Sequence, residues 1–280
     1  MSTPLFWHYG FYANICFNSM KKKNALIFLL VGLKLMMTAQ AVAIDSIDIA
    51  INNASNHFNL KGVSISNPDV IYKLNHYQLH YGLPTKLPDY NSFKELSNGN
   101  IAFFDLLSKD KLFTNLTITA EEFENLSHYN KLLRNEAYSA LCTRTILPVD
   151  YSTDLYNYAQ PGGYYLYYSM LQFYQVQQQH CIPSDEYNNR LWKKMLNDLI
   201  IQHEYPDLIG CTEGLNFNFT TYVLLHTKNS SYVDATNIRK IISNQLANGS
   251  WSMTSDEASD DLATLYGLLS LYEYKLLNGK

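Results

Sequence analysis

The stretch Ile241–Tyr274 reads IISNQLANGSWSMTSDEASDDLATLYGLLSLYEY. A helix-like run ends at Gln245, Asn248-Gly249-Ser250 signals a turn, and Trp251 follows directly. After an acidic segment a second helix-like run begins. Asn-Gly tolerates positive φ and lets the chain reverse tightly. The Gln245 amide can bond backbone groups left open at a helix end. Trp251 brings a large apolar area to the reversal. The stretch therefore predicts two helices pinned by an aromatic staple, with Gln245, Gly249 and Trp251 in structural roles.

Upstream, the same reasoning finds further helices. Residues 66–82 read as a helix with Ser66 or Asn67 as cap, Pro68 in the first turn and Gly82 as the stop. A loop with two prolines and an Asn-Gly turn follows, and 44–118 is the least regular region. Thr119 and Glu122 form a capping box before Phe123, Leu126, Tyr129, Leu133, Ala137 and Leu141 at helical spacing. Residues 147–163 read as a connection, and a helix opens on Gly162-Gly163. Ser184 is expected to cap the next helix, with Leu191, Met195, Leu196, Leu199 and Ile200 on one side. Pro206 breaks it. Helices of this length joined by short turns imply antiparallel helical hairpins, and strand signals are few. The fold class is all-α, with an irregular helical N-terminal region over 44–118 and a helical-hairpin domain over 119–280.

The order Gln245, Asn248-Gly249-Ser250, Trp251, then a helix opening on small residues resembles the repeat unit of the α/α-toroid superfamily. That superfamily includes terpene cyclases, prenyltransferase β-subunits and complement-type thioester domains. Gln160, Gly162-Gly163 and Tyr164-Tyr165 repeat the order about 85 residues upstream. With two copies visible, the resemblance implies a partial or irregular toroid.

The resemblance also implies three chemistries, and each lacks residues here. Cyclases protonate from Asp-x-Asp-Asp; Asp256, Glu257, Asp260 and Asp261 have other spacing and read as helix-capping acids. Prenyltransferases hold zinc with Asp, Cys and His; Asp207, Cys211 and His226 supply the types without the flanking motif, so no metal is expected. Thioester domains need a Gln where Gly214 stands after Gly210-Cys211-Thr212-Glu213. His76 and His80 share one helix face without a third ligand and read as a surface pair. Neither a nucleophile elbow nor a phosphate-cradling loop occurs, so no cofactor is expected and no catalytic motif is intact. If a site exists, Arg144, Asp150 and Tyr164 near the turns are the binding candidates.

Composition narrows the function classes. The chain has 280 residues, 47% hydrophobic and 16% charged, with a formal net charge of -4. No basic block lies outside the N-terminal region, which argues against nucleic acid as a partner. Tyr (23) and Asn are abundant, and that abundance reads mostly as compositional bias rather than a tyrosine-lined groove. Lys21–Lys23, the apolar run Ala25–Leu33 and small residues at Ala39, Ala41 and Ala43 form a bacterial-type signal peptide over 20–43. Residues 1–19 lie upstream of it and read as an artefact of start assignment. Contact with membrane would be transient, through this segment. Export leaves Cys142, Cys181 and Cys211, of which Cys142 and Cys181 are the expected disulfide. The whole suggests an exported periplasmic or secreted binding protein for an unidentified protein or ligand. The alternative is an enzyme with an α/α-barrel-type cleft acting on a glycan or lipid. A pocket joining Glu136, Asp150, Asp207 or Glu213 with a His would overturn the binding reading.

Overall fold

Ile47, Ala50, Ile51, Ala54 and Phe58 recur at helical spacing, and the helix over 45–61 (α1) buries all five. The sequence marks 44–118 as irregular helical without assigning this helix. Isoleucines with strand preference and scattered asparagines mask a period that packing enforces. In the computed structural model the described residues are 45–65, 67–86, 134–135, 138–139, 142–143, 146–205, 213–253 and 259–278. Ile47–Lys280 cluster as one compact unit.

After a 3-10 turn at Gly62–Ser64, α2 spans Pro68–Tyr81. The Asn67 carbonyl accepts the Ile71 N–H at 3.2 Å, and Gly82 follows the helix with φ 73°. The helix expected from Thr119 to Leu141 lies mostly outside the described residues; 134–135 and 138–139 are helical. Residues expected to be a connection instead hold α3 (Tyr151–Ala159). Tyr151, Leu155 and Ala159 sit one turn apart and are buried, a short period overlooked between two prolines. Helix α4 (Gly163–Gln178) opens after Gly162, whose φ is 74°. Helix α5 (Glu186–Glu204) is capped by Asp185 rather than Ser184, its carboxylate accepting the Asn188 N–H at 2.8 Å.

Helices α6 (Glu213–His226), α7 (Ala235–Ser243) and α8 (Asp261–Asn278) complete the described chain. Asp234 and Asn237 close a reciprocal capping box on α7. Residues 215–225 of α6 and 263–273 of α8 are buried throughout, polar Asn216, Asn218, Thr220, Thr221, Thr264 and Ser270 included, so these helices occupy the interior. They pack extensively on each other; α6 also touches α4 and α5, and α8 touches α2 and α7. The described structure is all-α apart from the two-residue antiparallel pair β1 (Trp251–Ser252) and β2 (Ser259–Asp260).

That small pair holds the quoted stretch in place. Trp251 is 1% exposed, and its indole Nε1–H donates to the Ile241 carbonyl at 2.8 Å. Its ring lies flat enough against α8 that a Cβ on Gly267 would sit 2.8 Å from Cδ2. Gly249 has φ 84°, and a Cβ there would fall 2.3 Å from the Asn53 carbonyl oxygen of α1. Gln245 Nε2 donates to the carbonyls of Ala50 and Gly249, both at 2.9 Å. Asp260 accepts the Ala263 N–H at 2.8 Å and Asp261 pairs with Lys61, so both described acids of the segment hold the start of α8. Asp256 and Glu257 lie outside the described residues.

Candidate functional site

Burial along α8 ends in a charged residue. Glu273 is the last of its continuously buried positions, with its side chain only 7% exposed. A buried carboxylate needs donors. Two other helices supply them: Tyr77 from α2 and His226, the last residue of α6. The Tyr77 hydroxyl donates to Glu273 Oε1 at 2.5 Å, and His226 Nδ1 lies 2.8 Å from the same oxygen. Tyr77 and His226 are themselves 3.2 Å apart, and the Tyr222 hydroxyl lies 3.2 Å from that of Tyr77. One carboxylate oxygen thus joins three helices.

The electrostatics follow from this arrangement. Burial pushes the Glu273 carboxyl up, but the hydrogen bond and charge of His226, then Tyr77 and Lys228, outweigh it and hold the group below its ordinary value. Burial, with Tyr222 and Glu273 adding to it, pushes the Tyr77 phenol well above its ordinary value. Tyr81 and Tyr174 are raised too, first by burial and then by the Glu273 charge. At neutral pH the site therefore holds one carboxylate surrounded by protonated phenols.

His226 and Glu273 line a cleft of about 630 Å³. Tyr81 and Tyr174 bring aromatic surface to it, and Gln175 and Gln178 bring amides. Tyr81 is 44% exposed. Lys228 stands at the rim in the left-handed conformation, φ 64°. It occupies the glycine-favouring position of a helix C-cap: Asn229 N–H bonds the Leu224 carbonyl and Lys228 N–H the Leu225 carbonyl. The His226 ring touches Tyr174 and Tyr222, with centroids 5.8 and 5.3 Å away. Its Nδ1 edge is engaged; among the described residues no hydrogen bond is made at Nε2.

No family model matches the sequence, and comparison with curated proteins and with solved structures likewise finds no match. The site is therefore read from its own geometry.

The binding candidates named from sequence are placed elsewhere. Asp150 is exposed at the start of α3. Tyr164 packs its ring on Tyr168 and Phe219, at centroid distances of 4.4 and 6.0 Å. Arg144 lies outside the described residues. Neither Asp150 nor Tyr164 lines the Glu273 cleft. Glu136, Asp207 and Cys211 also lie outside the described residues, and nothing is described of the Glu213 side chain. The acid that meets a histidine is Glu273, which the sequence reading did not single out. A signal existed: it is the one acidic residue between Leu262 and Lys275 of an otherwise apolar helix. His226, weighed as a zinc ligand, has its Nδ1 committed to Glu273. Among the described residues no group of three or more His, Cys, Asp or Glu is arranged to hold a metal ion. His76 and His80 contact each other at a tilt, with centroids 4.7 Å apart; His80 is exposed as expected of a surface pair, but His76 lines the Glu273 cleft.

Cys142 and Cys181 are joined by a disulfide with Cα atoms 5.8 Å apart. Cys142 Sγ also lies 3.0 Å from Gln179 Oε1; once oxidised the sulfur has no proton to donate, so this contact is not a hydrogen bond in the bridged form.

Proposed function

We propose that this chain is an exported binding protein whose cleft at Glu273 and His226 takes a saccharide. The observation that carries the reading is the lining: the exposed Tyr81 and half-buried Tyr174 rings beside hydrogen-bonding amides and one fixed carboxylate. Sugar rings present apolar C–H faces that stack on aromatics, and hydroxyl edges that need both donors and acceptors. Gln175 and Gln178 offer both, Glu273 accepts, and Tyr81 and Tyr174 donate. Preformed pockets of several hundred Å³ with a few converging polar groups are the usual form of small-molecule sites. Export is supported by the Lys21–Lys23 and Ala25–Leu33 segment, and a Cys142–Cys181 bridge suits an oxidising compartment. The helical-hairpin likeness to α/α toroids remains part of this reading through the Gln245–Trp251 turn.

An oligosaccharide array probed with the labelled protein tests it. Binding to at least one glycan, weakened about fivefold by each of Tyr81→Ala and Tyr174→Ala, is the expected result, since stacking contacts of this kind contribute on the order of 1 kcal/mol each. Binding that ignores both substitutions would place the ligand elsewhere.

One observation favours a second reading, an enzyme acting on a glycan. The His226 imidazole is oriented by a buried carboxylate, an arrangement that catalysis uses more than simple binding does.

A further inference from the structure

We infer that the cleft is hydrolytic, with His226 Nε2 the general base and Glu273 its positioning residue for water attack on an acyl ester carried by the bound saccharide. The inference rests on the saccharide reading of the same cleft and adds a reaction to it.

The geometry begins at Nδ1. With Glu273 Oε1 at 2.8 Å, the neutral imidazole keeps its proton on Nδ1, and the lone pair is left on Nε2. His226 lines the cleft, and among the described residues no hydrogen bond is made at Nε2. A carboxylate in that position also stabilises the imidazolium formed when Nε2 takes a proton, and burial strengthens the attraction. The second bond from Tyr77 holds the carboxylate in one orientation. Three helices fix the pair, so the base is placed without loop ordering.

The lining also narrows the reaction. Its described residues include no Ser, Thr or Cys, the side chains that usually carry an acyl-enzyme. Among the described lining residues Glu273 is the single carboxylate, and glycosidic cleavage in its common forms uses two. Water is then the nucleophile, and an ester is the bond that an imidazole base suffices to open. Saccharides commonly present such bonds as O-acyl groups.

The step balances without a co-reactant. Water oxygen bonds to the acyl carbon while one of its protons moves to Nε2. The carbonyl electrons collect on the oxyanion, for which the amides of Gln175 and Gln178 and the Lys228 ammonium are cleft donors. The tetrahedral centre collapses, the carbon–alkoxide bond breaks, and the alkoxide takes the proton back from Nε2. Acid and alcohol leave, and Glu273 remains a carboxylate throughout.

The test uses the full chain and 4-nitrophenyl acetate, which requires no sugar recognition. His226→Gln should lower the rate of 4-nitrophenol release by about 100-fold or more, the usual range for a general base. Glu273→Gln should lower kcat with little change in KM and move the acidic limb of the pH profile, which a purely structural role would not do. His80→Gln, an exposed imidazole outside the cleft lining, should leave the rate unchanged. Wild-type turnover no faster than that of His226→Gln overturns the inference. The oligosaccharide array run on wild type and His226→Gln separates the two claims. Glycan binding without ester turnover overturns hydrolysis and leaves the binding reading; turnover without glycan binding overturns the saccharide assignment on which the inference rests.

Discussion

Gln245 Nε2 donates to the Ala50 carbonyl at 2.9 Å across 195 positions of sequence. The second proton of that amide goes to Gly249, so one side chain closes the turn and ties it to α1. Trp251 beneath the same turn then bonds to α7 and packs on α8. The reversal is a junction of three segments, and its glycine is where the backbones come nearest.

Gly249→Ala should therefore be among the most damaging small substitutions in the chain. The residue has φ 84° and the new Cβ would collide with the Asn53 carbonyl. A left-handed non-glycine residue alone costs about 1–2 kcal/mol, and separating α1 from the turn adds to it. Gly62→Ala is the control: its φ is 47° but nothing lies within 4 Å, so only the backbone cost applies. Urea midpoints should fall for both and clearly further for Gly249→Ala; equal shifts would show that α1 does not press on the turn.

His203 should make the fold acid-sensitive. It is 4% exposed, stacked on Phe217 with Nδ1 3.1 Å from the Thr220 hydroxyl. Burial, then the Lys240 charge, lowers its pKa from 6.5 to about 4. The unfolded chain binds the proton first, so stability is full above 6.5 and is lost as pH falls from there toward 4. The gap corresponds to about 3 kcal/mol. His203→Gln should flatten that part of the stability–pH curve, whatever it does to stability at neutral pH. An unchanged slope would assign the acid sensitivity to other groups.

Lys228 sits where a helix cap favours glycine. Lys228→Gly should raise stability by roughly 1 kcal/mol, by removing left-handed strain. It should also weaken glycan binding and ester turnover, because the cleft rim loses its ammonium. A gain in stability with both activities intact would make Lys228 a bystander.

The Cys142–Cys181 bridge closes a separation of 39 residues. Loop-entropy arguments give it about 3–4 kcal/mol. Thiol labelling of denatured, unreduced protein should leave both cysteines unmodified in peptide maps, and reduction should lower the denaturation midpoint accordingly. Labelling of either one before reduction would contradict the bridge.

The turn was legible because its residues are local: a glycine, an amide four residues before it and an aromatic two after it speak to one reversal. Helices α2 and α4 were legible for the same reason, through their cap, proline and glycine signals. Helix α1 was not, because its asparagines and isoleucines weaken the propensity that its buried face overrides. The site was least legible. Tyr77, His226 and Glu273 lie 149 and 47 positions from one another along the two bonds to His226, and only packing of α2 and α8 on their neighbours brings them together. What sequence did hold was the isolated acid in α8, a residue type that stays buried only when paired.

Ring resonances of histidine and tyrosine, followed while the protein is titrated with a pool of oligosaccharides, address the cleft most directly. The account predicts saturable shifts of His226 and Tyr174, with His57 and His203, both outside the cleft lining, unmoved. Saturable binding that leaves the His226 and Tyr174 rings undisturbed, or no binding by any member of the pool, would contradict it.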